Sequence, residues 1–320
     1  MTFACLVAAA LTVQAVERGE AAFRPTPAEA GVPELFRLPA AGFGYELEPI
    51  RDSESYTVAR VRFPSPIVTA DAANNTVHAE YFRPKGGGRR PGVVVLHILG
   101  ADFALSRYFA ARLAEKGVAA LFVKLPYYGE RRPAGADRRF LSNDVGRSTL
   151  SMRQGVCDVR RASAWLASRP EVDPARRGVT GISLGGITSA LAAAIDPELD
   201  RAALILAGGG LDEILWTMQE PGADRWRREW AESGRTRADL KALTTPFDPL
   251  TYAGRLVGKH VLMMAGNVDD VIPPSAAQAL WEASGRPPIR WFDCGHYSAA
   301  GYLLPAIREA VDFFAADVPG

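Results

Sequence analysis

One short segment, GVTGISLGG at residues 178–186, constrains this chain more than any other. An apolar run typical of a buried strand leads into Gly-x-Ser-x-Gly, centred on Ser183, and a helical run follows at once. A serine on so tight a strand-to-helix turn is held in a strained conformation with its hydroxyl above the sheet edge, and glycines must flank it. The pattern therefore predicts Ser183 as a nucleophile at the edge of an α/β sheet.

The general base that such a serine needs can be sought among only four histidines. His78 and His260 fall within or at the start of predicted strands, where we expect surface positions. His97 closes another strand and is expected to orient a loop. His296 lies in a loop between the last predicted strand and the last predicted helix, at the edge where open α/β sheets carry their chemistry. We expect His296 to be the base.

A carboxylate is expected beyond a neighbouring strand, where it would fix the tautomer of the imidazole and stabilise its charged form. The buried run at residues 261–265 is followed by two adjacent aspartates, Asp269 and Asp270. The spacing Gly-x-x-Asp-x-x-(Val/Ile)-Pro favours Asp269, which leaves Asp270 as a loop or cap residue. Ser183, Asp269 and His296 then follow one another in the order Ser, Asp, His that is typical of α/β-hydrolases.

These motifs resemble the α/β-hydrolase superfamily, and within it the dienelactone-hydrolase-like and serine-esterase branch. The resemblance extends over residues 57–314 and includes YFRP at 81–84 and PGVVVLHILG at 91–100. Dienelactone hydrolases carry a cysteine nucleophile, whereas this chain has a serine. The resemblance therefore implies the fold and a Ser-His-Asp site, but not the substrate of those enzymes.

The resemblance also implies an oxyanion hole made of two backbone N–H groups. One belongs to Leu184, the residue after the nucleophile. The other comes from the loop after the strand that ends at His97, where an isoleucine stands at a position at which glycine is usual. We assign this second donor to Ile98, with Leu99 as the alternative.

A further loop, LPYYGERRP at residues 125–133, falls where the superfamily forms one wall of the substrate site. It resembles the corresponding segment of dienelactone hydrolases. Arg131 is a candidate ligand for a substrate carboxylate, because a guanidinium group offers a planar fork of donors. Tyr127 is a candidate lining residue. The alternative is that the arginine is solvated and the tyrosine packs within the loop.

Extended and helical runs alternate along the chain, which predicts an α/β-hydrolase fold built on a mostly parallel, doubly wound sheet. The first two runs alternate polar and apolar residues, as antiparallel edge strands do, and the later ones are continuously apolar, as buried parallel strands are. The expected strands span 56–63, 76–83, 92–97, 118–123, 177–182, 201–207, 259–265 and 288–292. The expected helices span 103–116, 148–168, 184–195, 274–284 and 302–316.

We expect one hydrolase domain at residues 56–320, preceded by an N-terminal extension at 16–55 that is rich in proline and alanine. Residues 208–258 interrupt the alternation with short, tryptophan-containing helices before the strand that leads to Asp269. This insertion is either a lid over the substrate site or a helical elaboration that packs on the sheet.

Residues 1–15 contain an apolar run of signal-peptide length that is too short to span a membrane. Small residues near its end form a plausible cleavage pattern, although no lysine or arginine precedes the run. A signal peptide here predicts a secreted or periplasmic protein. Without it the protein would be cytoplasmic.

Composition excludes several classes of partner. A net charge of +1 on 320 residues, with acidic residues interspersed among the arginines, does not provide the basic tract that nucleic acid requires. The sequence has no Gly-x-x-x-x-Gly-Lys-Ser/Thr loop, Cys-x-x-Cys pair or His-Glu-x-x-His helix, so we expect no cofactor and no metal. The expected partner is a small-molecule ester.

Together these features predict acyl transfer from a carboxylic ester to water, through an acyl-enzyme on Ser183. A peptidase that resembles prolyl oligopeptidases is an alternative, because Gly-x-Ser-x-Gly-Gly occurs in that family too. A thioesterase is a second alternative. A non-catalytic binding protein is disfavoured, because a nucleophile, a base and an acid are all present.

Overall fold

A computed structural model describes residues 16–100, 103–135 and 137–316, and its centre is one ten-stranded sheet. The strands are β1 (Glu17–Phe23), β2 (Ala41–Asp52), β3 (Tyr56–Pro64), β4 (Thr76–Pro84), β5 (Arg90–Leu96), β6 (Ala119–Val123), β7 (Val172–Ile182), β8 (Arg201–Ile205), β9 (His260–Gly266) and β10 (Ile289–Phe292). Their order is β1-β2-β3-β4-β6-β5-β7-β8-β9-β10. Pairing is antiparallel from β1 to β6 and parallel from β6 to β10, which confirms the predicted sheet.

The central strands β5 and β6 are almost entirely apolar because helices cover both faces of the sheet. Val93, Val94 and Val95 of β5 are completely buried, and every residue of β6 is buried as well. Such continuous apolar runs are typical of parallel strands inside an α/β protein. On β3, by contrast, buried and more exposed residues largely alternate, as in a strand with one face toward solvent.

Helices lie on both sides of the sheet. They are α1 (Ala104–Glu115), α2 (Val145–Ala167), α3 (Leu184–Ile195), α4 (Leu211–Thr217), α5 (Ala223–Glu232), α6 (Arg237–Thr244), α7 (Pro249–Tyr252), α8 (Pro274–Ala283) and α9 (Leu303–Ala315). α1 contacts α9, and α2 contacts α3. Because strands β5 to β10 are parallel, their carboxyl ends all lie at one edge of the sheet, where the loops after β5, β7, β9 and β10 meet.

The predicted helical insertion is present as α4 to α7, between β8 and β9. It has a small hydrophobic cluster of its own, in which Trp230 and Leu240 pack with Val145 at the start of α2. Trp226 packs against this cluster from α5. The insertion is therefore anchored to α2.

The segment expected as an N-terminal extension adds two further strands, β1 and β2, to the antiparallel end of the sheet. Sequence reasoning missed both strands. β1 in particular mixes charged residues, alanines and a glycine with little apolar alternation. A buried arginine of α2, Arg160, holds this region from within. Its guanidinium group donates to the Glu29 carboxylate at 3.0 Å and to the Phe36 carbonyl at 2.7 Å.

The predicted signal peptide, residues 1–15, lies outside the described residues. Within the described part of the chain, no helix is both long and apolar enough to cross a membrane. The longest, α2, has 23 residues but carries several charged side chains.

Candidate active site

Ser183 lies in the turn between β7 and α3, as the motif predicted. Its backbone has φ 55° and ψ −116°, a positive-φ conformation that a residue with a Cβ adopts only under constraint. The Ser183 N–H donates to the carbonyl of Ile205 at 2.9 Å, and the Ser183 carbonyl accepts from the N–H of Ile187 at 2.9 Å. The turn is thus fixed by the end of β8 on one side and by the first turn of α3 on the other.

Two glycines allow this turn because they lack a Cβ. A Cβ on Gly181 would lie 2.4 Å from the carbonyl carbon of Gly185. A Cβ on Gly185 would lie 2.7 Å from the carbonyl oxygens of Leu96 and His97. These obstacles are backbone atoms that cannot rotate away, so the close packing of α3 on β5 and β7 requires glycine at both positions.

A continuous chain of hydrogen bonds runs from Ser183 into the protein. Its Oγ lies 2.9 Å from Nε2 of His296, and Nδ1 of His296 lies 2.8 Å from Oδ2 of Asp269. Asp269 is buried, His296 is nearly buried and Ser183 is partly exposed. A carboxylate can only accept, so Nδ1 carries the imidazole proton and Nε2 offers its lone pair to the hydroxyl.

The two adjacent aspartates have different environments. Oδ1 of Asp269 accepts the N–H groups of Val271 and Ile272 at 2.9 and 2.8 Å, which leaves Oδ2 for the imidazole. Asp270 is exposed, and its backbone carbonyl accepts the N–H of Gln219 at 2.8 Å. The structure therefore brings Asp269, and not Asp270, into the hydrogen-bonded chain.

Sheet topology explains how residues so far apart in sequence meet. Ser183 follows β7, Asp269 follows β9 and His296 follows β10, and these strands are parallel members of one run through β8. Their carboxyl ends share an edge, as expected for open α/β sheets. The other two histidines expected at the surface, His78 on β4 and His260 at the start of β9, do not line the cavity beside Ser183.

The residues expected to supply oxyanion donors lie beside the nucleophile. Leu184 and Ile98 line the same cavity as Ser183, and so does the alternative, Leu99. Leu184 is the first residue of α3, where amides have no partner within the helix and the positive end of the helix dipole lies. Such amides can hold a developing negative oxygen. We retain Leu184 and Ile98 as the proposed donors.

His97 sits behind the Ile98 loop. Its Nε2 accepts the N–H of Leu125 at 3.1 Å, so the imidazole proton is on Nδ1, which donates to the Ile98 carbonyl at 2.7 Å. The ring is completely buried and packs edge-on against Tyr128, with ring centroids 4.4 Å apart. Burial lowers the pKa of His97 from its ordinary 6.5 to about 4. A neutral His97 thus orients the peptide of Ile98, which agrees with a loop-orienting role.

The depressed pKa of His97 makes stability depend on pH. The unfolded chain takes up a proton near pH 6.5 and the folded protein only near 4, so stability is lost as the pH falls between these values. Between pH 7.5 and 5 this group alone is expected to lower the free energy of unfolding by about 2 kcal/mol. Urea unfolding of the wild type and of His97→Gln at several pH values measures the effect, since the variant lacks this component. Parallel pH profiles for the two proteins would contradict it.

The structure does not bring Tyr127 or Arg131 to the cavity. Arg131 is completely buried, with one guanidinium nitrogen 2.8 Å from both Oδ2 of Asp158 and the carbonyl oxygen of Asn74. The Tyr127 hydroxyl donates to the carboxylate of Asp71 at 3.2 Å. The suggestion that Arg131 binds a substrate carboxylate is therefore wrong, and so is the alternative that it is solvated. Local sequence could not reveal its partner, Asp158, which lies on α2.

Arg131 instead supports the loop from inside. It also donates to the carbonyl of Lys124 at 3.0 Å, next to Leu125, whose N–H holds His97. Because removing one partner of a buried ion pair leaves the other charge uncompensated, Arg131→Met is expected to lower the free energy of unfolding by about 3–5 kcal/mol.

Urea unfolding measures this loss, and the exposed neighbour Arg132 provides a matched control. Arg132→Met is expected to change the free energy of unfolding by about 0.5 kcal/mol or less. Similar free energies of unfolding for the two variants would show that the buried Arg131 ion pair contributes no more to stability than the exposed Arg132.

Sequence reasoning missed a contact between the insertion and the His296 loop. The hydroxyl of Tyr297 donates to Oε1 of Glu220 at 2.5 Å, and this bond raises the pKa of Tyr297 to about 12. Beside it, the N–H of Gln219 donates to the Asp270 carbonyl. The segment between α4 and α5 is thus attached next to both Asp269 and His296. The 77 residues that separate Glu220 from Tyr297 leave no local signal of this contact.

Metal-ligating clusters and cysteine thiols are the remaining chemical groups whose position relative to Ser183 matters. Across residues 16–100, 103–135 and 137–316, no group of three or more His, Cys, Asp or Glu residues could hold a metal ion. The thiols of Cys157 and Cys294 are free and buried, and burial raises the pKa of Cys157 to about 12. Neither cysteine lines the cavity beside Ser183.

The fold and this arrangement of serine, histidine and aspartate define an α/β-hydrolase. The family described as alpha/beta hydrolase domain containing 18 matches residues 44–206, just over half of the chain. The chain belongs to this family. The prolyl oligopeptidase family also matches, over residues 149–284.

The similarity of this chain to known proteins is greater in fold than in sequence. The uncharacterized protein Rv2627c of Mycobacterium tuberculosis is 30% identical over 219 residues, which are 65% of this chain and 50% of that protein. The chain thus spans about half the length of the curated relatives it matches. An acetyl xylan esterase from a Paenibacillus species is 21% identical, with a TM-score of 0.68 over 84% of this chain and 88% of that one.

A Klebsiella pneumoniae protein described as a dienelactone hydrolase is 18% identical, with a TM-score of 0.55 over 82% of this chain and 99% of that one. Identities this low establish the fold alone. Together with the family match, they confirm the predicted α/β-hydrolase fold.

Proposed function

We propose that this protein is a serine hydrolase that cleaves carboxylic esters. The observation that carries the proposal is the chain of hydrogen bonds from the buried Asp269 through His296 to Ser183, which ends at a cavity. In such a chain the imidazole can take the hydroxyl proton as the oxygen attacks a carbonyl carbon, while the carboxylate stabilises the imidazolium that forms.

The proposed reaction has two halves. In the first, His296 removes the proton of Ser183, the oxygen attacks the ester carbonyl, and the N–H groups of Leu184 and Ile98 hold the oxyanion. His296 then gives its proton to the leaving alcohol, which departs and leaves an acyl-enzyme. In the second half, His296 activates a water that attacks the acyl-enzyme. The acid is released and Ser183 regains its proton.

A peptidase is the second candidate, because the prolyl oligopeptidase family matches residues 149–284. That segment contains the serine and the aspartate of the proposed site, but not His296. An amine is a poorer leaving group than an alcohol, and the two activities would share Ser183. A direct comparison of ester and peptide substrates therefore discriminates between them.

The test is covalent labelling with a fluorophosphonate, followed by turnover measurements. We expect labelling of the native protein, with the modified residue identified as Ser183 by peptide mass spectrometry. We also expect hydrolysis of p-nitrophenyl butyrate to exceed that of peptide p-nitroanilides. Labelling at Ser183 with faster peptide cleavage would favour the peptidase. A folded protein that neither reacts with the probe nor turns over either substrate would refute a serine hydrolase.

A further inference from the structure

The cavity beside Ser183 has a volume of about 730 Å³. Volumes of this size accommodate drug-sized ligands, far larger than an acetyl group. One side is formed by the sheet edge and α2 and α3, and the other by α4, α5 and the segment between them. The insertion therefore supplies one wall of the space into which Ser183 opens.

The buried lining of this cavity is largely apolar. This buried wall includes Met152, Ile182, Ile187, Leu206, Ile214 and Phe247. Leu215, Met218 and Trp226 add apolar surface from the insertion. A wall of this kind favours a ligand that gains by leaving water, and it offers no compensation for a buried charge.

The polar side chains of the α2 and α6 wall are already paired within the protein. Ser148 donates to the carbonyl of Ser142, Thr149 donates to the carbonyl of Gly146, and Thr244 donates to the carbonyl of Leu240. Their hydroxyl protons are therefore engaged in local bonds. These positions therefore offer a ligand no free hydroxyl proton.

Glu220 and Arg225 also line the cavity, and both of these charged side chains have partners within the protein. Glu220 accepts from Tyr297, and Arg225 pairs with Glu229 at 3.1 Å, largely in solvent. Arg131 cannot reach a substrate either, because it is buried against Asp158. Among the described residues, the buried wall of the cavity thus carries no cation for a negatively charged acyl chain, and Arg225 lies on the solvent-exposed side.

The position of His296 orients the ester. His296 must protonate the leaving oxygen, so the alcohol lies on its side, next to Tyr297, whose surface is 69% exposed. With the alcohol on that side, the acyl group would extend in the other direction, toward the buried wall.

We propose that the substrate is an ester with an uncharged aliphatic acyl chain, longer than acetyl, that lies in this cavity. The inference rests on the proposed function and adds the chemical class of the acyl group. Each methylene that enters the cavity should raise kcat/KM about two- to fourfold until the cavity is filled. From acetyl to octanoyl the six added methylenes then give an increase between about sixtyfold and a few thousandfold.

The first experiment measures kcat/KM for p-nitrophenyl esters from C2 to C12, together with the isomers methyl octanoate and heptyl acetate. We expect a rise with acyl length and a clear preference for methyl octanoate. A flat or falling series, or a preference for heptyl acetate, would overturn the inference while leaving ester hydrolysis in place. An acyl chain that ends in a carboxylate should be hydrolysed at least a hundredfold more slowly than its uncharged counterpart, and equal rates would also overturn it.

A variant pair tests the wall contributed by the insertion. Met218→Trp should lower the ratio of octanoyl to acetyl kcat/KM at least tenfold, because the larger ring fills the cavity. Thr217→Trp provides the matched control, since Thr217 is the exposed neighbour of Met218 and does not line the cavity. Thermal unfolding verifies that both variants are folded. Equal ratios in the two variants would overturn the assignment of this wall.

A binding measurement separates this inference from catalysis. Calorimetric titration of Ser183→Ala with octanamide and acetamide should give clearly tighter binding of octanamide. This result would support the apolar chain site even if fluorophosphonate labelling of the wild type failed and the proposed function fell. Equal affinities for the two amides would overturn the inference, whatever the result of labelling.

Discussion

Replacing Ser183 by alanine is expected to lower ester turnover by about 10⁵- to 10⁶-fold, because it removes the hydroxyl that lies 2.9 Å from Nε2 of His296. Fluorophosphonate labelling should disappear at the same time. Folding should be preserved, because alanine removes only the hydroxyl and the turn is held by backbone bonds to Ile205 and Ile187. Initial rates with p-nitrophenyl butyrate, labelling and a thermal melt on the same sample measure the three effects.

Ser189 provides the matched control. It lies on the same helix, is completely buried, and does not line the cavity. Its hydroxyl has no hydrogen-bond partner, so Ser189→Ala removes no bond. We expect turnover within about twofold of the wild type, since the change touches none of the reacting groups. If Ser183→Ala retained more activity than Ser189→Ala, Ser183 would not be the nucleophile.

The second large effect is expected for Asp269→Asn, which should lower kcat by about 10⁴-fold. An amide NH₂ group in place of Oδ2 would donate to Nδ1 and so stabilise the wrong tautomer of His296. Nε2 would then carry the proton and could no longer accept one from Ser183. Steady-state kinetics measure the loss, and unchanged labelling of Ser183 at the wild-type rate would contradict this role.

Asp270→Asn is the control for this prediction. Asp270 is exposed, and the carbonyl that accepts from Gln219 belongs to the backbone, which the substitution retains. We expect kcat within about twofold of the wild type, the usual range for a surface position away from the reacting groups. A large loss in Asp270→Asn with a small one in Asp269→Asn would reverse the assignment of the acid.

Much of the fold and of the hydrogen-bonded chain could be predicted because the information is local. The run before Ser183 is apolar because β7 is covered on both faces, and the glycines after it report a close backbone approach. His296 could be singled out because histidines are few and only this one follows the last strand. Each of these signals depends on residues that are neighbours in sequence.

The features that were missed depend on partners far away in sequence. Arg131 resembled an exposed loop arginine, because its ion-pair partner Asp158 lies on a different element. β1 was not predicted because an edge strand buries few side chains and so needs little apolar alternation. Its backbone pairing with β2 holds it in the sheet. The attachment of Glu220 to Tyr297 was equally invisible. Long-range polar contacts have no periodicity, so sequence patterns do not report them.

The register of the parallel strands sets the distances between Ser183, Asp269 and His296. Ile182 pairs with Ile205 across β7 and β8, and Gly266 pairs with Phe292 across β9 and β10. A slip of one residue at the second boundary would move the His296 loop by about 3.3 Å relative to β9 and turn its side chains to the opposite face. Hydrogen bonds of 2.8 and 2.9 Å cannot survive such a displacement. The fraction of protein molecules that are labelled at Ser183 should therefore also report the fraction in which β9 and β10 pair in the correct register.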